Sequence, residues 1–115
     1  MDPMLRLFFT GFIRIHILYH ASQGPVYGLA LIEELRRHGY RLSAGTLYPA
    51  LHALAGAGYL QQQRRVEGGR ARKYYTITDE GRQALAQIRP KIRELVDEVL
   101  ADELTSQGSQ HGIPR

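Results

Sequence analysis

The chain has 115 residues and no cysteine, so it is long enough for one domain with one modest core and has no disulfide framework, thiolate metal site or cysteine nucleophile. Hydrophobic residues make up 43% of the chain and charged residues 23%, which is typical of a folded globular domain rather than a disordered one. The formal net charge is +4. The lack of cysteine fits a reducing cytoplasm, where we expect the protein to reside.

The first predicted element is a helix over residues 4–22 that stops before Gly24-Pro25. Four polar side chains interrupt its apolar run, so we interpret it as a buried helix and expect no signal peptide or membrane span: Arg6, Arg14, His16 and His20. One apolar face comprises Phe8, Phe12, Ile15 and Tyr19. A second stripe is left for a partner chain, because so small a monomer cannot cover both faces: Phe9, Ile13 and Ile17.

A second helix is predicted over residues 26–38, with Gly39 as its left-handed stop. Its inward residues are Gly28, Leu31, Ile32 and Leu35.

After the turn at residues 40–42, a third helix has leucines spaced i, i+4 and i+7 at Leu47, Leu51 and Leu54. Either Ser43 or Thr46 caps this helix. We favour Thr46, because Pro49 then falls in the first turn, where its missing N–H does no harm. The alternative is a distorted start from Ser43.

Two strands are predicted over residues 59–66 and 72–78, with paired glycines in the loop between them. Thr78 then caps a last helix that extends to about Leu104 and that Pro90 can kink. Its seam, widened near the end, predicts a homodimer contact through Leu85, Ile88, Ile92, Leu95, Val96, Val99 and Leu100. We thus expect one domain over residues 1–78, a dimerisation helix over 79–104 and a disordered tail over 105–115.

This order of elements is that of a winged helix-turn-helix, an α+β fold that is mostly α, followed by a long C-terminal dimerisation helix. The third helix would enter the major groove of double-stranded DNA, exposing Thr46, Tyr48, Pro49, His52 and Ala53. The hairpin would form the wing. Its cations would contact phosphates and set affinity without reading sequence: Arg64, Arg65, Arg70, Arg72 and Lys73.

Three stretches resemble the PadR-like transcriptional regulators: "GPVYGLALIEEL", "LSAGTLYPALHALAGAGYL" and "GGRARKYYTITDEGRQAL". The resemblance covers about residues 5 to 85, and the single C-terminal helix is similar to the compact branch of the family. It implies a dimeric transcription factor, commonly a repressor released by a small-molecule effector. It also implies that the following residues lie at or near DNA, with Ser43 placed beside them by the turn: Tyr27, Thr46, Tyr48, Pro49 and His52.

Other functions have weaker support in the sequence. His16 and His20 have the spacing of two metal ligands, but no third ligand is nearby in sequence, so we expect neither a metal nor a cofactor. No base-and-nucleophile arrangement or phosphate-binding glycine loop is visible, which argues against an enzyme. A winged helix used only for protein contacts would have an acidic or neutral wing, whereas this wing is basic.

Overall fold

The computed structural model describes residues 2–39 and 41–103. Its elements in chain order are α1 (Pro3–Gln23), α2 (Gly28–Arg37), α3 (Ala44–Gly56), β1 (Leu60–Glu67), β2 (Arg70–Ile77) and α4 (Asp79–Val99). This is the winged helix-turn-helix order, so the predicted mostly helical fold with one small antiparallel sheet is confirmed. No helix among the described residues is both long and apolar enough to cross a membrane.

By contacts between residues, the chain divides into two units, residues 1–85 and 86–115. The first unit contains α1 to β2 and the opening turns of α4, in which Gly81 and Leu85 are buried. The predicted helix end at Leu104 and the predicted tail over 105–115 lie outside the described residues.

The core of the first unit is built from one face of each helix and the inner end of the hairpin. α2 and α3 contribute the predicted residues Leu31, Leu35, Leu47, Leu51 and Leu54, which confirms the inward faces inferred from their spacing. The other buried side chains are Ile17, Leu18, Ala21, Ala50, Leu60, Tyr74, Tyr75 and Leu85.

The predicted faces of α1 are largely wrong. Phe8 and Tyr19, expected inside, are 52% and 46% exposed, whereas Ile17, expected to face a partner, is fully buried. α1 has apolar side chains nearly all around, so periodicity alone could not show which face the other helices cover.

Two residues of the predicted dimer contact belong to the core of their own chain. Ile17 has no exposed surface and Leu85 is only 5% exposed, so neither offers a second chain an area to contact. Both side chains pack in the cluster that also contains Leu51 and Tyr75. Their apolar character is explained by folding of the single chain.

Of the two starts considered for the third helix, the structure has the one at Ser43 rather than the one at Thr46. Ser43 is the N-cap residue, with extended backbone, and its carbonyl accepts the N–H groups of Thr46 at 3.1 Å and Leu47 at 3.0 Å. Pro49 therefore lies inside α3 rather than in its first turn. The carbonyl its missing N–H would have bonded belongs to Gly45, an exposed residue, so water can satisfy that group.

The hairpin is tighter than predicted. Gly68 and Gly69 have φ values of +56° and +77°, so they form a two-residue turn of the kind that requires positive φ at both positions. β1 and β2 then pair without a break from Leu60↔Ile77 to Glu67↔Arg70. The loop predicted over five residues shrinks to two, and Arg70 becomes part of a strand rather than of the tip.

Two contacts attach the hairpin to the helices. The backbone N–H and carbonyl of Val26, just before α2, exchange hydrogen bonds with Tyr75 at 3.0 and 2.7 Å. At the other end, the Thr78 hydroxyl donates to the Gly58 carbonyl at 2.6 Å and accepts the N–H of Gly81 at 3.0 Å. The second contact is the predicted helix cap, which is confirmed.

Candidate nucleic-acid interface

The outer face of α3 carries small polar side chains that the fold leaves uncovered. Because Leu47, Ala50, Leu51 and Leu54 point into the core, the opposite side of the helix is exposed. On or beside that side lie four of the predicted DNA-contacting residues, all exposed: Ser43, Thr46, Pro49 and His52. The Ser43 and Thr46 hydroxyl oxygens are 3.3 Å apart, so they form a paired polar group at the start of the helix.

Tyr48 differs from the others, because it is half-buried rather than exposed as expected. Its ring and hydroxyl lie directly against Gly28, where a Cβ atom would overlap them. Gly28 thus leaves a gap in the first turn of α2 that the Tyr48 ring fills. The sequence showed the Tyr-Gly pair, but only the packing of α3 against α2 shows why the second residue is glycine.

The wing, here residues 60–77, brings its predicted cations together in cross-strand pairs. Arg64 lies opposite Lys73, and Arg65 lies opposite Arg72. Like charges directly opposite each other are unfavourable in a sheet, and a polyanion along the hairpin would relieve that repulsion. Arg70 lies opposite Glu67 in the strand register, beside the turn.

Two arginines of the wing stack on two tyrosines, and we call this group the arginine–tyrosine stack. The Arg65 guanidinium lies 4.7 Å from the centre of the Tyr74 ring, and that of Arg72 lies 4.6 Å from the centre of the Tyr27 ring. The two rings meet edge to face, with centres 5.3 Å apart. Such contacts hold long cationic side chains in place while their N–H groups remain available.

The stack has a polar support that sequence reasoning missed. The Tyr74 hydroxyl donates to Glu67 Oε2 at 3.0 Å, which helps to fix the ring over which the Arg65 guanidinium lies. The pKa of Arg72 is raised mainly by hydrogen bonding to the Tyr74 side chain and next by the neighbouring Tyr27. The one acid of the wing, Glu67, thus orients a tyrosine.

Contacts run without interruption from the wing to α3. Arg72 stacks on Tyr27, Tyr27 is followed by Gly28, and Gly28 contacts Tyr48 of α3. Tyr74 was not among the predicted site residues. Its place two residues after Arg72, on the same side of a strand, was the one signal that could have suggested it.

The remaining predicted dimer residues are described unit by unit. On α1, Phe9 and Ile13 are half-buried. In the second unit, Ile88 is half-buried. The five other described seam residues of this unit are 37 to 68% exposed: Ile92, Leu95, Val96, Val99 and Leu100.

A family model described as the Transcriptional regulator PadR-like family matches residues 17–87, from the middle of α1 through the wing to the start of α4. That match covers more than half of the chain and includes every predicted DNA-contacting residue. The chain belongs to the PadR-like family of transcriptional regulators. Membership implies DNA binding and agrees with the sequence-based interpretation that the protein is not an enzyme.

Individual relatives agree with this assignment. Transcriptional regulator Rv3488 of Mycobacterium tuberculosis (strain ATCC 25618 / H37Rv) is 46% identical over 105 residues, which span 91% of this chain and 98% of the relative. A PadR family transcriptional regulator from Eggerthella lenta DSM 2243 superimposes with a TM-score of 0.74 at 33% identity, covering 84% of this chain and 85% of that structure.

A PadR-like transcriptional regulator from Bacillus cereus strain ATCC 14579 gives a TM-score of 0.71 at 30% identity, covering 90% of this chain and 97% of that structure. The PadR-like resemblance inferred from the three sequence stretches is therefore confirmed.

Proposed function

We propose that this PadR-like protein is a sequence-specific DNA-binding repressor that acts as a homodimer on an inverted-repeat operator. The observation that carries the proposal is the arginine–tyrosine stack, which holds two cations of the wing in fixed positions and is joined through Tyr27 and Gly28 to α3. A preorganised cationic arm beside an exposed helix is the arrangement that a duplex requires.

The two parts of this surface have different tasks in the proposal. The wing cations contact phosphates and therefore set affinity and its dependence on salt. The exposed residues of α3, above all Thr46 and His52, lie in the major groove and choose the sequence. Tyr48 supports the helix from behind, because its ring packs on Gly28.

The homodimer is supported by apolar side chains that a single chain leaves in water. In the second unit, Leu95 and Val99 are 55% and 68% exposed, and in α1, Met4 and Leu7 are 72% and 70% exposed. A second copy that covers such residues would also present two α3 helices to one duplex, which explains why an inverted repeat is expected.

The small-molecule effector stays a prediction. Three aromatic rings of α1 lie in mutual contact: Phe8 is 52% exposed, and Phe9 and Phe12 are half-buried.

The proposal is tested with a wing variant, Arg70→Ala/Lys73→Ala, whose two positions are exposed and lie outside the arginine–tyrosine stack. We expect it to bind every duplex more weakly and to lower the slope of log K against log salt concentration by about 1.8, because about 0.9 is lost per phosphate contact. Fluorescence anisotropy between about 50 and 200 mM salt measures the slope.

The matched control is Arg36→Ala/Arg93→Ala, which removes two exposed cations outside the wing and should leave the slope unchanged. Equal slopes for the two variants would contradict the role of the wing. Selection from random duplexes with the wild-type protein should recover an inverted repeat, and recovery of no common sequence would contradict sequence-specific binding.

A further inference from the structure

Two pairs of metal-ligating side chains face each other across α1 and α2. His16 and His20 are four residues apart on α1, and Glu34 and His38 are four residues apart at the end of α2. Residues at this spacing lie next to each other on one side of a helix. Each helix therefore presents two ligand groups in the same direction.

The side chains are close enough to share one ion. One ligand atom each from His20, Glu34 and His38 lies within 4.8 Å of the other two. The Nε2 atom of His38 is 3.7 Å from Oε1 of Glu34. The ring of His16 is centred 6.2 Å from that of His20 and 6.0 Å from that of His38, so it borders the same space.

The expectation that no metal is bound depended on the lack of a third ligand near His16 and His20 in sequence. The fold supplies further ligands from α2, fourteen or more positions along the chain from His20. Distance along the sequence therefore does not exclude a metal site at these histidines.

We propose that His20, Glu34 and His38 bind one divalent transition-metal ion of the Zn²⁺ type. Two imidazole nitrogens and one carboxylate oxygen form a donor set that Zn²⁺ accepts, leaving one further position for water or for His16. Mg²⁺ and Ca²⁺ do not fit, because they prefer a shell of oxygen ligands. The chain has no cysteine that would favour a softer ion.

Small rotations of the side chains suffice to close the site. Tetrahedral ligands around Zn²⁺ are separated by roughly 3.3 Å, close to the present distance between Glu34 and His38. Their side chains are 36% and 51% exposed, so neither is locked by packing. Arg37 pairs with Oε2 of Glu34 at 3.1 Å and leaves Oε1, the oxygen nearer His38, for the ion.

A bound ion would join α1 to the end of α2, immediately before the turn that leads to α3. It would stabilise the folded chain, because the unfolded chain does not hold these three ligands together. The proposed site is independent of DNA binding and uses none of the residues assigned to the nucleic-acid interface.

The test uses the full chain without a purification tag, titrated with Zn²⁺ by isothermal calorimetry. We expect one ion per chain and a dissociation constant at least about tenfold higher for His20→Ala/His38→Ala. The controls are the other two histidines outside the cluster, replaced in His52→Ala and His111→Ala, which should bind Zn²⁺ like the wild type; His111 lies outside the described residues.

A second measurement keeps the test decisive if the double variant folds poorly. Glu34→Gln preserves the shape of the side chain but removes the anionic ligand, and Zn²⁺ should raise its melting temperature less than it raises that of the wild type or of His52→Ala. Absence of Zn²⁺ binding by the wild type would overturn the proposal. Equal Zn²⁺ affinity of wild type, double variant and Glu34→Gln would overturn it as well.

Discussion

Tyr27 is the residue at which the wing and the helix-turn-helix meet. Its ring supports Arg72 and contacts Tyr74, and it directly precedes the glycine on which Tyr48 packs. Tyr27 has a β-region backbone and is the N-cap residue of α2, but its side chain makes no capping hydrogen bond. Its side chain therefore contributes through the ring, as a positioning residue for the cation.

We predict that Tyr27→Ala weakens DNA binding because Arg72 loses its support, whereas Tyr27→Phe retains the ring and most of the affinity. A cation–π contact at a partly exposed site is worth about 0.5–1 kcal/mol, which corresponds to roughly a two- to fivefold change in dissociation constant. Anisotropy measurements on one duplex provide the comparison. Equal losses for Phe and Ala would mean that the hydroxyl, rather than the ring, is what matters.

Tyr75, unlike Tyr27, is a residue of the core. It is fully buried, and its hydroxyl has no hydrogen-bond partner among residues 2–39 and 41–103. The pKa of Tyr75 is raised above its ordinary value of 10.0, mainly because the hydroxyl is shielded from water and next because Tyr48 is nearby. The folded chain therefore holds the phenol proton more tightly than the unfolded chain does.

The sign of the pH dependence follows from that difference in proton binding. Below pH about 10 both states keep the proton; at higher pH the unfolded chain releases it first, so the free energy of unfolding falls until the folded pKa is passed. We predict that Tyr75→Phe reduces this alkaline loss and is neutral or stabilises by up to about 1 kcal/mol near pH 7, because an unsatisfied hydroxyl is removed. Urea unfolding from pH 7 to 11 measures both effects. Tyr19→Phe, at a position 46% exposed, is the control that should keep the alkaline loss.

At the scale of elements, the joint between the wing and α4 has no spare room. Gly81 is buried, and a Cβ atom there would overlap the backbone carbonyl oxygen of Tyr59 and the Ile77 side chain. The Tyr59 carbonyl also accepts the N–H of Thr78 at 3.1 Å, so it cannot move away without breaking that hydrogen bond. This joint sets where β1 starts relative to α4.

We predict that Gly81→Ala destabilises the protein by about 1–3 kcal/mol, because backbone atoms must shift to admit the methyl group. The control is Gly11→Ala, in α1, where an added Cβ meets nothing within 4 Å. That change should stabilise the helix by about 0.5–1 kcal/mol. Chemical denaturation measures the free energy of unfolding of both variants. An unchanged value for Gly81→Ala would contradict the close packing of Gly81 against Tyr59.

At the scale of the whole molecule, the exposed apolar residues bear on whether two chains form a dimer. The 13.0 kDa chain leaves Leu95 and Val99 of α4, and Met4 and Leu7 of α1, more than half exposed. Leu95 and Val99 belong to the seam of α4, whose apolar residues have the spacing of a helix that packs on another helix.

We predict a dimer of twice the chain mass in size-exclusion chromatography with light scattering. Leu95→Glu/Val99→Glu should raise the dimer dissociation constant by about a hundredfold or more, since each buried side chain of this size is worth about 1.5 kcal/mol or more. Val66→Glu, at a wing position 73% exposed, should remain dimeric. A monomeric wild type at micromolar concentration would contradict the homodimer.

The sequence by itself determined the order of elements, the inward faces of α2 and α3, the Thr78 cap and the position of the basic wing. These follow from local physics, because the spacing of apolar residues, glycine pairs and capping hydroxyls acts over a few residues. The PadR-like motifs lie in these locally determined segments.

Only the tertiary structure decided which face of α1 is buried, that Leu85 belongs to the core, that Tyr48 fills the gap at Gly28, and that Tyr74 and Tyr27 hold the wing arginines. It also brought His20 beside Glu34 and His38. Each of these depends on contacts between segments far apart in the chain. Periodicity along one helix shows which side chains share a face, but the direction of that face is fixed by the other elements that pack against it.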